Sequence, residues 1–136
     1  MIQVYSSNIN VPANTAIPLN NLKVDKGCSQ SLASPSTIHL NKRGVYIVAV
    51  DGFGSAAAAG DISVQMAVNG LLQPDAISSA SVAAADSIVP IGFKSLVQVQ
   101  QDNTKCCCSS ATELSFFTGD TDITDLHFNV VVTKLC

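Results

Sequence analysis

The strongest constraint on the fold of this chain is a period-two alternation of apolar and polar residues that recurs along its length. Side chains of a β-strand point alternately to opposite faces, so this alternation predicts half-buried strands rather than helices. Two segments show it most clearly: "DISVQMAVNG" with Ile62, Val64, Met66 and Val68, and "DLHFNVVVTKLC" with Leu126, Phe128, Val130 and Val132. Each segment predicts a strand with one face in an apolar core.

The rest of the chain continues the strand pattern. In "SIVPIGFKSLVQVQQD" alternate residues are again apolar, and Pro90 predicts that this strand is bent or lies at a sheet edge. The dipeptide Asn69-Gly70 suits a tight hairpin. The run "GSAAAAG" is too short for a stable helix and predicts a loop or strand end. Together these segments predict an all-β sandwich of about eight to ten short strands.

The segment "VYIVAV", residues 45–50, is apolar on both faces. Such a strand belongs in the middle of a packed assembly, with one face in the sandwich core and the other against a neighbouring sheet or subunit. The composition agrees, because 47% of the residues are apolar and only 12% are charged. We therefore expect some apolar surface to contact another subunit.

Length and charge narrow the class of protein further. A chain of 136 residues is expected to hold a single domain. Its net charge of −3 offers no basic patch for nucleic acid, and no apolar run is long enough to span a membrane. The amino terminus shows no export signal, which predicts synthesis in the cytoplasm. Residues 1–14 carry little core pattern, so we expect an amino-terminal arm, a possible attachment segment, followed by a domain over residues 15–136.

Two stretches resemble the trimeric jelly-roll superfamily of the tumour necrosis factors (TNF) and complement globular heads. "IHLNKRGVYIVAVDG" carries Gly44, Val45 and Tyr46 where that family enters its central strand, and "ISVQMAVNG" ends in Asn69 and Gly70 as the family's strand does. The closing "FNVVVTKLC" is similar to the family's last strand. Bacterial and phage proteins with a cysteine cluster before the penultimate strand are also similar to this chain.

The resemblance implies a jelly-roll sandwich of ten antiparallel strands that trimerises about a threefold axis. The residues expected to form its core and trimer interface are Val45, Tyr46, Ile47, Val48, Phe128 and Val130. The chain has no collagen stalk, which disfavours a complement-like or cytokine role. We therefore expect a structural protein on the surface of a bacteriophage virion, made in the host bacterial cytoplasm, as a homotrimeric capsid decoration or head-fibre component that also contacts a capsid or fibre protein.

The alternative function is a receptor- or glycan-binding knob on a phage fibre or on a bacterial or spore surface. Such a knob needs an exposed aromatic platform, and the residues available for one are Tyr5, Phe53, Phe116 and Phe117. An enzyme is not expected, because His39 and His127 lie inside strand patterns without a nucleophile and an orienting group. Asp120, Asp122 and Asp125 predict solvated turns. No cofactor or metal site is predicted.

The five cysteines leave three interpretations open. They are Cys28, Cys106, Cys107, Cys108 and Cys136, and three of them are consecutive. Disulfides or crosslinks between subunits are one interpretation, in which Cys28 faces the later run. Free thiols that act as small apolar groups are the second. The third is a ring of thiolates at a threefold axis that binds a soft metal.

Overall fold

The computed structural model of the protein describes residues 1–100 and 112–136. These residues form ten strands: β1 (Ile2–Val11), β2 (Asn21–Asp25), β3 (Gln30–Ser34), β4 (Thr37–Leu40), β5 (Gly44–Ser55), β6 (Gly60–Val68), β7 (Leu71–Val82), β8 (Val89–Val99), β9 (Thr112–Thr118) and β10 (Ile123–Lys134). Within the described ranges, no helix is long and apolar enough to cross a membrane.

The strands form two five-stranded sheets. The first sheet has the order β2-β1-β10-β5-β8, and the second has the order β3-β4-β9-β6-β7. Every neighbouring pair of strands within a sheet is antiparallel. The predicted jelly-roll sandwich of about ten antiparallel strands is therefore confirmed.

The core lies between the two sheets and is built from the alternating apolar rows. In β10 the four predicted residues Leu126, Phe128, Val130 and Val132 are all buried, and in β6 Ile62, Val64 and Met66 are buried. Phe116 from the second sheet meets Phe128 from the first edge to face, with ring centroids 5.5 Å apart. This contact ties the two sheets together at the centre of the sandwich.

The amino-terminal segment differs from the expectation. We expected residues 1–14 to form an arm outside the domain, but Ile2–Val11 is β1, which lies between β2 and β10 in the first sheet. Ile2, Val4 and Val11 are buried in the core. The alternation was hidden because Ser6 occupies one inward position and the register with β10 shifts on either side of Ile9. The boundary expected between an arm and the domain at residue 15 is therefore absent, because β1 is part of the sandwich.

Prolines and positive backbone angles mark the edges and turns. Pro90 lies in β8, an edge strand of the first sheet, as predicted, and Pro74 lies in β7, an edge strand of the second. An edge strand tolerates the missing amide donor of proline. The hairpin between β6 and β7 turns at Asn69 and Gly70, with φ angles of 52° and 83°. The predicted tight hairpin is confirmed, as is the loop in "GSAAAAG", which separates β5 from β6.

Candidate functional site

The outer face of the first sheet, which points away from the core, carries an apolar strip. In β5, Tyr46 and Val48 point into the core while Val45, Ile47 and Ala49 lie on the outer face. Ile47 pairs with Leu96 of β8, and Ala49 pairs with Val131 of β10. Directly opposite residues of antiparallel strands share a face, so five residues form one strip: Val45, Ile47, Ala49, Leu96 and Val131. Leu96 is 62% exposed, which leaves this strip open to a partner.

A pocket of about 820 Å³ opens on the same face, beside the apolar strip. Tyr5, Phe53 and His127 form its aromatic part, and Leu22 adds an exposed aliphatic wall. The rings of Phe53 and His127 stack with centroids 4.4 Å apart and an interplanar angle of 25°. These two residues are directly paired across β5 and β10, so the sheet register holds the stack in place. We call this site the aromatic pocket.

Polar groups line the other walls of the aromatic pocket. Gln3 Nε2 donates a hydrogen bond of 2.9 Å to Asn129 Oδ1, and Ser7 Oγ lies 3.0 Å from His127 Nδ1. Lys23 and Asp51 complete the lining with one charge of each sign. The pocket therefore combines aromatic surface with fixed hydrogen-bonding groups, which is the composition of a binding surface. In the described part of the chain, no three His, Cys, Asp or Glu side chains gather as metal ligands.

The residues expected to form the core and the trimer interface divide into two groups. Tyr46, Val48, Phe128 and Val130 are at most 1% exposed and belong to the core cluster between the sheets. Only Val45 and Ile47 lie on the outer face. Because fully buried side chains cannot contact another subunit, Tyr46, Val48, Phe128 and Val130 belong to the core, and a place for Val45 and Ile47 in a trimer interface remains a prediction. Strand β5 is apolar on both faces, and its alternate side chains point either into the core or to the outer face.

The aromatic residues expected to supply a platform also divide. Tyr5 and Phe53 meet in the aromatic pocket and are 37% and 39% exposed. Phe116 is buried in the core and is unavailable to a ligand. Phe117 lies elsewhere, in a recess of about 230 Å³ beside Leu72. The platform formed by the folded chain therefore consists of Tyr5, Phe53 and a residue not expected there, His127.

Two of the five cysteines lie in the described part of the chain. Cys28 and Cys136 are exposed free thiols. Ser29, the neighbour of Cys28, lines the same recess of about 530 Å³ as Cys136, so both thiols belong to one end of the sandwich. Cys106, Cys107 and Cys108 lie outside the described residues. The crosslinks expected of all five remain a prediction.

Sequence reasoning missed Leu96, Leu22, His127 and Asn129 as members of this surface. Leu96 carried a signal, because it is an apolar residue in the row of β8 that otherwise holds Lys94 and Gln98. His127 and Asn129 were assigned to the polar face of the last strand, which is where they lie. Their proximity to Tyr5 and Phe53 follows from strand register, which one strand's sequence does not contain.

Comparison with solved structures identifies the fold class. The globular domain of a zebrafish complement 1qA protein has a TM-score of 0.74 at 5% identity, covering 99% of this chain and 96% of that one. The Eiger TNF of S. frugiperda has a TM-score of 0.75 at 12% identity, covering 99% and 92%. The PRD1 vertex protein P5 has a TM-score of 0.59 at 12% identity, covering 99% and 72%.

The fold is a TNF-like jelly roll, as the resemblance in the sequence implied, and a phage vertex protein is among the proteins that share it. No protein-family model and no curated protein matches the sequence. At these identities the likeness establishes the fold alone.

Proposed function

We propose that the protein is a structural component of a bacteriophage virion, which acts as a homotrimer that decorates the capsid or forms part of a head fibre. The observation that carries this proposal is the outer face of the first sheet, where exposed apolar and aromatic side chains lie side by side. On a soluble monomer, large side chains such as Leu22, Phe53 and Leu96 are more often dispersed than gathered on one sheet face.

The shape of this face suits a threefold contact. A ring of three subunits is closed by heterologous contacts, in which two different patches of each chain meet. The aromatic pocket is concave and lies on β2, β1, β10 and β5, whereas Leu96 projects from the edge strand β8. Insertion of the β8 edge of one copy into the concave half of the next would bury both patches around the ring.

The virion role is supported by the fold of the PRD1 vertex protein P5, which belongs to a phage particle by its name. Assembly is then the protein's activity, and no chemical step is required of its side chains. Purified particles provide the test of this role. Mass spectrometry of washed virions should detect this chain in a fixed ratio to the capsid protein, and its absence from intact particles would remove the virion role.

The oligomeric state is tested by light scattering after size exclusion at micromolar concentration. A trimer gives about 42 kDa, three times the 14.1 kDa of one chain. Leu96→Glu places a charge in the apolar strip and should reduce the mass to that of the monomer. Leu71→Glu makes the same change at a leucine of the second sheet that is 71% exposed, and should leave the mass unchanged. A wild-type mass of 14 kDa would contradict the trimer.

A second candidate function is a receptor- or glycan-binding knob on a phage fibre or on a bacterial or spore surface. The aromatic pocket favours it, because an aromatic ring beside amide and charged groups is suited to bind a sugar ring by stacking and hydrogen bonds. This function requires that the pocket stays open in the assembled protein. The trimer described above covers the same pocket, so the two candidates make opposite predictions.

The variant Phe53→Ala separates these candidates. If the aromatic pocket binds a glycan, the variant loses binding on an array of bacterial surface polysaccharides and keeps the wild-type mass. If the pocket is part of the subunit interface, the variant shifts the mass toward the monomer and the wild type binds no glycan. Phe117→Ala, which removes a ring from the recess beside Leu72, is the matched control and should change neither property.

A further inference from the structure

Four of the six described Lys and Arg side chains lie at one end of the sandwich, and five of the nine described Asp and Glu side chains lie at the other. One end, which we call the basic end, carries Lys26, Lys42, Arg43 and Lys134. The opposite end, which we call the acidic end, carries five exposed carboxylates: Asp61, Asp86, Asp120, Asp122 and Asp125. Strands such as β5, with 12 residues, separate these ends by about 40 Å.

Strand register fixes the membership of the basic end. Lys134 of β10 pairs with Tyr46 at the start of β5, and Lys42 and Arg43 directly precede that strand. Lys42, Arg43 and Lys134 line one recess of about 530 Å³. Lys26 follows Asp25, which pairs with Ile2. Ile2 in turn pairs with Val132, two residues before Lys134, so the lysine belongs to the same end.

The acidic end is defined by loops at the other extreme of the strands. Asp120 and Asp122 lie in the connection from β9 to β10, and Asp125 follows close behind in β10. The Asp86 amide donates to the Ala56 carbonyl at 3.0 Å, which brings the loop after β7 to the end of β5. Asp61 lies at the start of β6, opposite Ser81. In the described chain, the stretches 53–61, 79–92 and 117–126 contain no Lys, Arg or His.

Carboxylates are fewer at the basic end. Of the described residues, Asp25 and Glu113 lie there, and Glu113 Oε1 is 3.2 Å from His39 Nε2. The described residues thus give the sandwich a positive end and a negative end, although the net charge of the chain is −3. A polyanion such as nucleic acid is a poor ligand for the basic end, because it would extend along an acidic body. The surface of this protein that complements the basic end is the acidic end of another copy.

We propose that the protein associates end to end, with the basic end of one copy against the acidic end of the next. This contact is heterologous and does not close, so it extends along the strand direction into a linear stack. It uses different surfaces from the outer face of the first sheet, and both contacts can form together. The inference rests on the proposed function in one respect: if each unit is the proposed trimer, the linear stack is a fibre.

The ionic strength should control this stacking. Charges at the exposed ends are screened beyond a Debye length of about 8 Å at physiological salt, so they attract only when the ends nearly touch. In 50 mM NaCl, sedimentation velocity of the wild type should show species larger than a single unit, and their amount should rise with protein concentration. In 500 mM NaCl we expect this end-to-end association to weaken by about tenfold or more.

A charge swap tests the pairing of the two ends. K26E/K42E/K134E makes both ends acidic, and D61K/D120K adds cations at the acidic end. Each variant alone should associate less than the wild type in 50 mM NaCl. An equimolar mixture should form pairs of units, because the unaltered basic end of D61K/D120K can meet the unaltered acidic end of K26E/K42E/K134E. A33E/I77E adds negative charge at exposed positions of the second sheet, away from the ends, and should stack like the wild type.

The inference would be overturned by a wild type that stays one unit at low salt, by variants that stack alone as well as the wild type, or by a mixture that does not associate. Binding of the wild type to a poly-glutamate resin without self-association would also overturn it, since the basic end would then be directed at another acidic protein. The mass of the unit in 500 mM NaCl reports the lateral assembly separately. A monomeric unit there would contradict the proposed trimer and leave the end-to-end contact measurable.

Discussion

Gly52 occupies a position in β5 where the backbone of β10 passes too closely for any side chain. A Cβ atom at this residue would overlap the carbonyl oxygen of His127. We therefore expect Gly52→Ala to destabilise the fold by about 2 kcal/mol, because the strands must separate to admit the methyl group. Urea denaturation measures the change in the free energy of unfolding.

The matched control for this substitution is Gly60→Ala. A Cβ atom at Gly60 meets no atom within 4 Å, and Gly60 does not have a positive φ angle. Its replacement should leave the unfolding free energy within about 0.5 kcal/mol of the wild type. Equal losses at Gly52 and Gly60 would mean that the β5–β10 spacing does not limit the residue at position 52.

The thiols of Cys28 and Cys136 are a second test at the residue scale. Both are exposed and unbonded in the monomer, so both should react with iodoacetamide in the folded protein without denaturant. Peptide mapping identifies which cysteines carry the label. If Cys28 or Cys136 instead stays unlabelled until a reductant is added, that residue forms a disulfide in the protein, and the predicted crosslinks gain support.

Single residues also show where sequence reasoning reaches its limit. The inward positions of β10 follow from alternation alone, because polar His127 and Asn129 alternate with the apolar residues that face the core. In β5 both rows are apolar, so the choice between Tyr46 and Ile47 as the core residue is made by the partner sheet. The aromatic pocket depends on pairing between strands distant in sequence, such as Phe53 with His127.

At the scale of elements, β1 is the strand whose role was least visible. It lies between β2 and β10, and its removal would expose the edge of β10 as well as the core. Val4→Ala removes two buried methyl groups and should lower the unfolding free energy by about 2 kcal/mol. Ser7→Ala changes an exposed residue of the same strand and should cost less than about 0.5 kcal/mol.

Calorimetry of these two variants decides whether β1 folds with the domain. A loss at Val4 but not at Ser7, within a single cooperative transition, shows that residues 2–11 belong to the sandwich. An unchanged transition for Val4→Ala would return the segment to the role of an arm. The segment's polar residues were a poor guide because an edge-proximal strand with a register shift needs fewer apolar positions than a central one.

At the scale of the whole molecule, the sandwich brings the termini, Cys28 and four cations to one end and leaves the carboxylate loops at the other. Neither charge group comes from a single run in the sequence. Lys26, Lys42 and Lys134 are far apart along the chain and meet only because the jelly roll returns each connection to the same end. Fold class could thus be predicted from local periodicity, whereas the surfaces that assemble the protein follow from topology.

Assembly also predicts how the protein's stability depends on its concentration. If folding and trimerisation are coupled, dilution favours three unfolded chains over one native trimer. The melting temperature therefore falls when the protein is diluted. With an unfolding enthalpy of about 0.7 kcal/mol per residue, a tenfold dilution should lower it by about 3 to 4 °C. Leu96→Glu should melt at the same temperature at every concentration, because its monomer unfolds without dissociation. Scanning calorimetry in 500 mM NaCl, where end-to-end association is weak, isolates this effect. If the melting temperature of the wild type does not change with protein concentration, the lateral contacts do not contribute to its stability.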